Sequence, residues 1–175
     1  AQPSYYDAKL KWRQAKLVFQ LTAEAAYYGF YIEKNEGPMD DTWDWARFLA
    51  ALEGDADLRE GIARAMRDLA LLWSVYVWDD GGKIAQVRAS PPGFVWEWQD
   101  GRDVDHIDWS VFAQRLGAID PEKWCDLYLC AKLSKEDAIA AGLDIVEPVT
   151  KVYQALLPLY KASTPRATSA ARDKD

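Results

Sequence analysis

The chain has very few of the residues from which metal and redox sites are built. Of 175 residues, two are cysteine, two are methionine and one is histidine. Cys125 and Cys130 stand five apart in "WCDLYLC", without the paired spacing of a zinc site. On a strand, an odd separation places them on opposite faces, which disfavours a disulfide between them. They read as reduced thiols that fill space as small apolar groups, a usage that suits the cytoplasm. No apolar run of about 18 residues exists, so no segment reads as a membrane-spanning helix. The sequence calls for no metal and no cofactor. It opens at Ala1, as a processed or excised product does, and a removed signal peptide stays open.

Basic residues are also in short supply. The chain carries 21 Lys and Arg against 28 Asp and Glu, a net charge of −7. The last fifteen residues, "KASTPRATSAARDKD", hold four of the basic and two of the acidic groups, which leaves the body at −9. Non-specific nucleic-acid binding depends on Lys and Arg neutralising phosphates, and this balance argues against it. A local basic strip remains in Lys9, Lys11, Arg13 and Lys16, which the alternative reading makes a solvated helix face.

Catalytic motifs are missing as well. His106, in "DGRDVDHID", could act as a general base beside an aspartate, but a nucleophile or metal would still be needed, and a surface-loop histidine is the simpler reading. Asp40, Asp41 and Asp44 sit where helix N-termini favour acids, and Asp79 and Asp80 where turns do, so neither group reads as a cation site. "YIEKN" sets Glu33 directly beside Lys34, the wrong spacing for a PD-(D/E)xK nuclease. No phosphate-binding loop and no G-x-S-x-G elbow is present, so the chain does not read as an enzyme.

Aromatic residues are abundant: nine Trp, nine Tyr and five Phe. Trp43/Trp45 alternate in "TWDWARF" and Trp96/Trp98 in "FVWEWQD". Each indole buries on the order of 200 Å², and nine exceed what a core of this size calls for, so some are expected to line a pocket or a partner surface. Tyr27, Tyr28, Phe30 and Tyr31 cluster around Gly29. On a strand, Tyr28 and Phe30 share one face, while Tyr27, Gly29 and Tyr31 share the other. One face is expected to be core and the other to project rings into a cavity. Against this stands a plain reading, a Trp-rich core beneath a sheet.

The pattern predicts helix over 4–16, then strand through "AKLVFQLTAEA" and "AYYGFYIEKN". "TWDWARFLAAL" places Trp45, Phe48, Leu49 and Leu52 on one helical face, ended by Gly54, and "DADLREGIARAMRDLALLW" repeats the pattern with Leu58, Ile62, Ala65, Met66 and Leu69. "SVYVWDDGGKIAQVRAS" is a hairpin, "FVWEWQDG" a third strand, and Asp108 an N-cap for "WSVFAQRLG". "KWCDLYLCAKL" is a further strand, and Ser134 opens a helix over 135–160 that Pro148 should kink or divide. Residues 1–160 are expected to form one α+β domain around a curved, mostly antiparallel sheet packed with several helices, and 161–175 a flexible tail or linker.

The W-rich "WDWARFL", the hairpin "VYVWDDGGKIAQVRAS" and the unit "LYLCAKLSKEDAIAAGLDIVEPVTKVYQALLPLY" follow an N-terminal helix and a strand pair. In that order they resemble the N-terminal DNA-recognition domains of McrB-type modification-dependent restriction GTPases. The resemblance covers most of residues 5–160. It implies binding to double-stranded DNA that carries a modified cytosine, with the base flipped into an aromatic pocket, and a GTPase motor and nuclease elsewhere. The positions it points to are Tyr27, Tyr28, Tyr31, Trp43 and Trp45 for the base, with Arg13, Lys16 and Lys34 for phosphate. A second reading stays open, an acidic protein-binding protein such as a toxin immunity factor or inhibitor, with exposed aromatics as anchors.

Overall fold

The computed structural model describes residues 15–37, 42–78, 81–101 and 104–164. They form one α+β domain built on a seven-stranded antiparallel sheet. Its strands are β1 (Lys16–Leu21), β2 (Ala25–Lys34), β3 (Leu72–Val77), β4 (Gly82–Ser90), β5 (Gly93–Trp98), β6 (Asp105–Ile107) and β7 (Cys125–Ser134). Their spatial order is β1-β2-β7-β3-β4-β5-β6, so the last strand in the chain is inserted between the second and third. Helices α1 (Asp44–Gly54), α2 (Ala56–Asp68), α3 (Trp109–Gly117), α4 (Lys135–Ala141) and α5 (Val146–Ser163) complete it, with a 3-10 turn at Gly142–Ile145.

Alternation along the strands decides what is buried. Phe30 and Ile32 on β2, Trp73 and Val75 on β3, and Leu127 and Leu129 on β7 are fully buried together with Trp45 and Phe48 of α1 and Phe112 of α3. Rings pass contact from helix to sheet: Phe48 lies 6.0 Å from Trp73, and Trp73 5.4 Å from Phe112. Trp45, Trp73 and Trp96 are therefore core, as the plain reading of the tryptophans has it. Trp98 and Trp109 pack against the same core from its margin.

Three expectations need adjustment. The helix over 4–16 falls almost wholly outside the described residues, and Lys16 opens β1 instead. A short strand, β6, was not legible in "DGRDVDHID", and it carries His106, exposed, at the sheet edge. The helix expected over 135–160 is divided at Gly142, whose φ of 52° breaks the α-helical path, and not at Pro148. Pro148 lies in the first turn of α5, where a missing N–H costs nothing. Helix α5 then runs to Ser163, past the expected end at 160. Ile139, Leu143 and Val146, on either side of that division, stand exposed.

Candidate functional site: the open face of the sheet

The same alternation that buries one face leaves the other free. Register gives its rows directly. Lys16, Tyr31, Tyr128, Ser74 and Gln86 are successive cross-strand neighbours from β1 to β4. The next row toward one end is Glu33, Asp126, Tyr76 and Lys83; toward the other it is Val18, Gly29, Cys130 and Leu72, and beyond that Gln20, Tyr27 and Lys132. Gly29 contributes no side chain to this surface, where β7 backbone comes too close for a Cβ. A cavity of about 430 Å³ lies here, with Tyr27, Tyr76, Tyr128 and Trp78 among its walls. That volume falls in the range of small-molecule sites, roughly 300–1,000 Å³.

The rings form a connected platform. Tyr31 and Tyr128 lie 4.7 Å apart, and Tyr128 meets Tyr76 edge-on at 5.7 Å. Asp126 anchors one end. Its carboxylate accepts from Trp78 Nε1 at 2.8 Å, Trp124 Nε1 at 3.0 Å and the Tyr31 hydroxyl at 2.7 Å. The Tyr31 hydroxyl also contacts Glu33, so its single proton is shared between two carboxylates. Asp126 is nearly buried, and these donors stand in for the water it has lost. Burial, followed by the bonds to Glu33 and Asp126, pushes the Tyr31 phenol far above its usual range. Burial and then the Asp126 charge push Tyr128 up to about 12. Both phenols are therefore neutral O–H groups at any ordinary pH, and Tyr128 lines the cavity.

Cys130 also lines this cavity, while Cys125 lies in the core on the opposite side of β7. Both thiols are free, and burial pushes each up to about 12. At pH 8 that leaves a thiolate fraction of about 10⁻⁴, against roughly a quarter for an ordinary cysteine. Labelling with a thiol reagent at pH 8 should accordingly run at least about 1,000-fold slower in the native protein than in urea. Prompt reaction of one thiol in the native state would show that Cys130 is open to solvent and activated.

The predicted site residues separate. Tyr27 and Tyr31 do lie on the open face. Tyr28 turns to the other side, buried, with Phe19 against it at 6.3 Å. Trp45 is wholly buried in the core, so no ligand reaches it without opening the fold. Trp43, half-buried, precedes α1 in the helical layer and lines no part of the cavity. Lys16 is exposed, its ammonium 5.3 Å from the Tyr31 ring centre. Lys34 is buried, and its ammonium donates to carbonyl oxygens of Asp120, Pro121 and Lys123 at 2.8–3.0 Å. Those bonds take up its three protons, so it has none for a phosphate. Arg13 lies outside the described residues.

Sequence reasoning missed Tyr76, Trp78, Lys83, Gln86, Asp126, Tyr128 and Lys132. For four of them a signal existed. Period-two alternation in "LWSVYVW" sets Tyr76 opposite Trp73 and Val75, and in "CDLYLCAK" it sets Asp126, Tyr128 and Lys132 opposite Leu127 and Leu129. No local pattern says that these strands are neighbours. No family model matches the chain, and none of the curated proteins or solved structures compared with it does.

Proposed function

We propose that this chain is a binding module that receives a base of double-stranded DNA, a modified cytosine flipped out of the stack, on the open face of its sheet, as the specificity domain of a restriction or defence system. The observation that carries this reading is the tyrosine platform beside the cavity, with Gln86 and Ser74 among its linings. A flat ring can stack on such a platform, and an amide and a hydroxyl can satisfy the polar edge of a base. The acidic body fits a reader that gains its affinity from the base more than from phosphates. Of the positions that the resemblance points to for the base, this reading keeps Tyr27 and Tyr31 on β2, drops Tyr28, Trp43 and Trp45, and adds residues of β3, β4 and β7.

The test is fluorescence anisotropy with labelled duplexes, unmodified or carrying 5-methyl- or 5-hydroxymethylcytosine, at two salt concentrations. A modified duplex should bind preferentially. Tyr76→Ala should weaken it by a factor of roughly 5–150, the equivalent of about 1–3 kcal/mol per stacked base. A folded protein that binds no duplex at any salt would overturn the reading.

A second reading, an acidic partner-binding protein, draws on a different surface. Ile139, Leu143 and Val146 are exposed near Glu136, Asp137, Asp144 and Glu147 in sequence, an apolar patch with an acidic surround. It predicts a tight complex with a cationic protein that Leu143→Glu abolishes, with no effect of Tyr76→Ala.

A further inference from the structure

We infer that the cavity accepts a whole nucleotide unit, ring and phosphate together, with the phosphate seated between Lys83 and Lys132. The inference rests on the base-reading function proposed above and assigns the charged part of the same ligand.

Lys83 enters the cavity wall from β4 beside Tyr76, and Lys132 from β7 beside Tyr27. The strands that carry them lie on either side of β3. The two ammonium groups are close enough that Lys132 adds to the effect of burial in holding the Lys83 ammonium below the usual lysine range. Neither makes an ion pair or a side-chain hydrogen bond among the described residues; Lys132 lies over the Tyr27 ring, 5.9 Å from its centre. The other lysines near the sheet are already engaged. Lys34 is spent on loop carbonyls, and Lys16 lies over Tyr31.

Two like charges turned into one partly buried cavity repel each other and oppose folding. A phosphate placed between them, singly charged as a diester in a strand and close to doubly charged in a free nucleotide, offsets that cost. Lysine binds phosphate as a compact point charge, without needing the planar fork that arginine offers a carboxylate. Among the described residues the one carboxylate in the cavity lining, Asp126, does not compete for these lysines. Its oxygens are taken by Trp78, Trp124 and Tyr31. Tyr76 is the cross-strand partner of Lys83 and Tyr27 that of Lys132, so rings and cations line the same cavity.

A nucleotide unit could come from the DNA strand or from a free nucleotide, and two arms separate these sources. In the first, the modified duplex is titrated across a salt series with the wild-type protein, Lys83→Met and Lys132→Met. Each substitution should flatten the slope of log K against log salt, and the two together by about 0.9, the value for one phosphate contact, while preference for the modified base is kept. In the second, 5-hydroxymethyl-dCMP and its nucleoside are titrated by NMR. The nucleotide should bind at least 10-fold tighter, and either substitution should abolish that advantage.

Unchanged salt slopes together with equal nucleotide and nucleoside affinity would overturn the inference. Modified-base preference surviving under those conditions would leave base reading intact without the phosphate seat. Lysine-dependent nucleotide binding without duplex binding would keep the seat, make the free nucleotide its source, and remove the DNA reading.

Discussion

Gly29→Ala should destabilise the protein by about 3 kcal/mol, although it adds one methyl group to a strand. Gly29 pairs with Cys130 in the middle of the β2–β7 ladder, and a Cβ at this position would stand 2.1 Å from the Leu129 carbonyl oxygen and 2.8 Å from Cys130 Cα. Both obstacles are backbone. They cannot swing aside as a side-chain tip would, and β7 cannot retreat without loosening ten paired positions along β2. Overpacking of this kind costs typically 1–3 kcal/mol, and rigid neighbours put this site at the upper end. One effect opposes it: alanine restricts the unfolded chain, a gain of only about 0.4–1 kcal/mol. The clash wins. For a domain of this size the melting temperature should fall by roughly 6–12 °C. Gly61 is the control, since it lies within α2 and a Cβ there meets nothing within 4 Å. Gly61→Ala should raise stability by about 0.5–1 kcal/mol. Wild-type stability in Gly29→Ala would mean that β2 and β7 do not approach so closely.

Local patterns in the sequence carried the elements, and long-range pairing carried the site. Trp45, Phe48 and Leu52 at helical spacing gave α1, and Asp108 was legible as an N-cap because its carboxylate has a backbone N–H to accept from, here Val111. The alternation around Gly29 separated Tyr27 and Tyr31 from Tyr28 and Phe30, and the two sets do lie on opposite faces. What alternation cannot supply is the choice of neighbours. Strand β7 begins 91 residues after β2 ends, yet it lies between β2 and β3, and only that insertion brings Tyr128 to Tyr31 and Asp126 to Trp78. The paired tryptophans misled for a related reason. Trp43 and Trp45 belong to a helix start and not a strand, so a spacing of two sends them in different directions, Trp45 into the core and Trp43 to a half-buried position outside it. Lys34 misled because a lysine after an aromatic strand looks like a surface cation, whereas the turn at 119–124 folds over it.

Replacing that lysine should be the most damaging single change among the polar residues. Lys34 closes β2 with its ammonium among carbonyls of Asn35, Asp120, Pro121 and Lys123, the last at 2.8 Å. The last three of those carbonyls belong to the segment leading into β7, so one side chain ties the end of β2 to the start of its partner strand. Lys34→Met keeps most of the length and removes the charge. Two effects compete. The variant escapes the desolvation of a buried ammonium, which is the main cause of the lowered Lys34 pKa. It also strands several carbonyls that had charge-assisted partners, each at roughly 1–3 kcal/mol where water cannot replace the lysine. With at least three acceptors affected, the loss outweighs the gain, and a net cost of about 2–4 kcal/mol is expected in urea unfolding. The pH dependence supplies an independent readout. A lysine whose folded pKa lies below its unfolded value of about 10.4 binds fewer protons in the folded state. Its contribution to stability is therefore lowest below the folded pKa and rises as pH climbs from there to the unfolded pKa. Lys34→Met should lack that alkaline rise. A variant that loses stability but keeps the wild-type pH profile would show that Lys34 acts by filling space, and that the loop is held by something other than its ammonium.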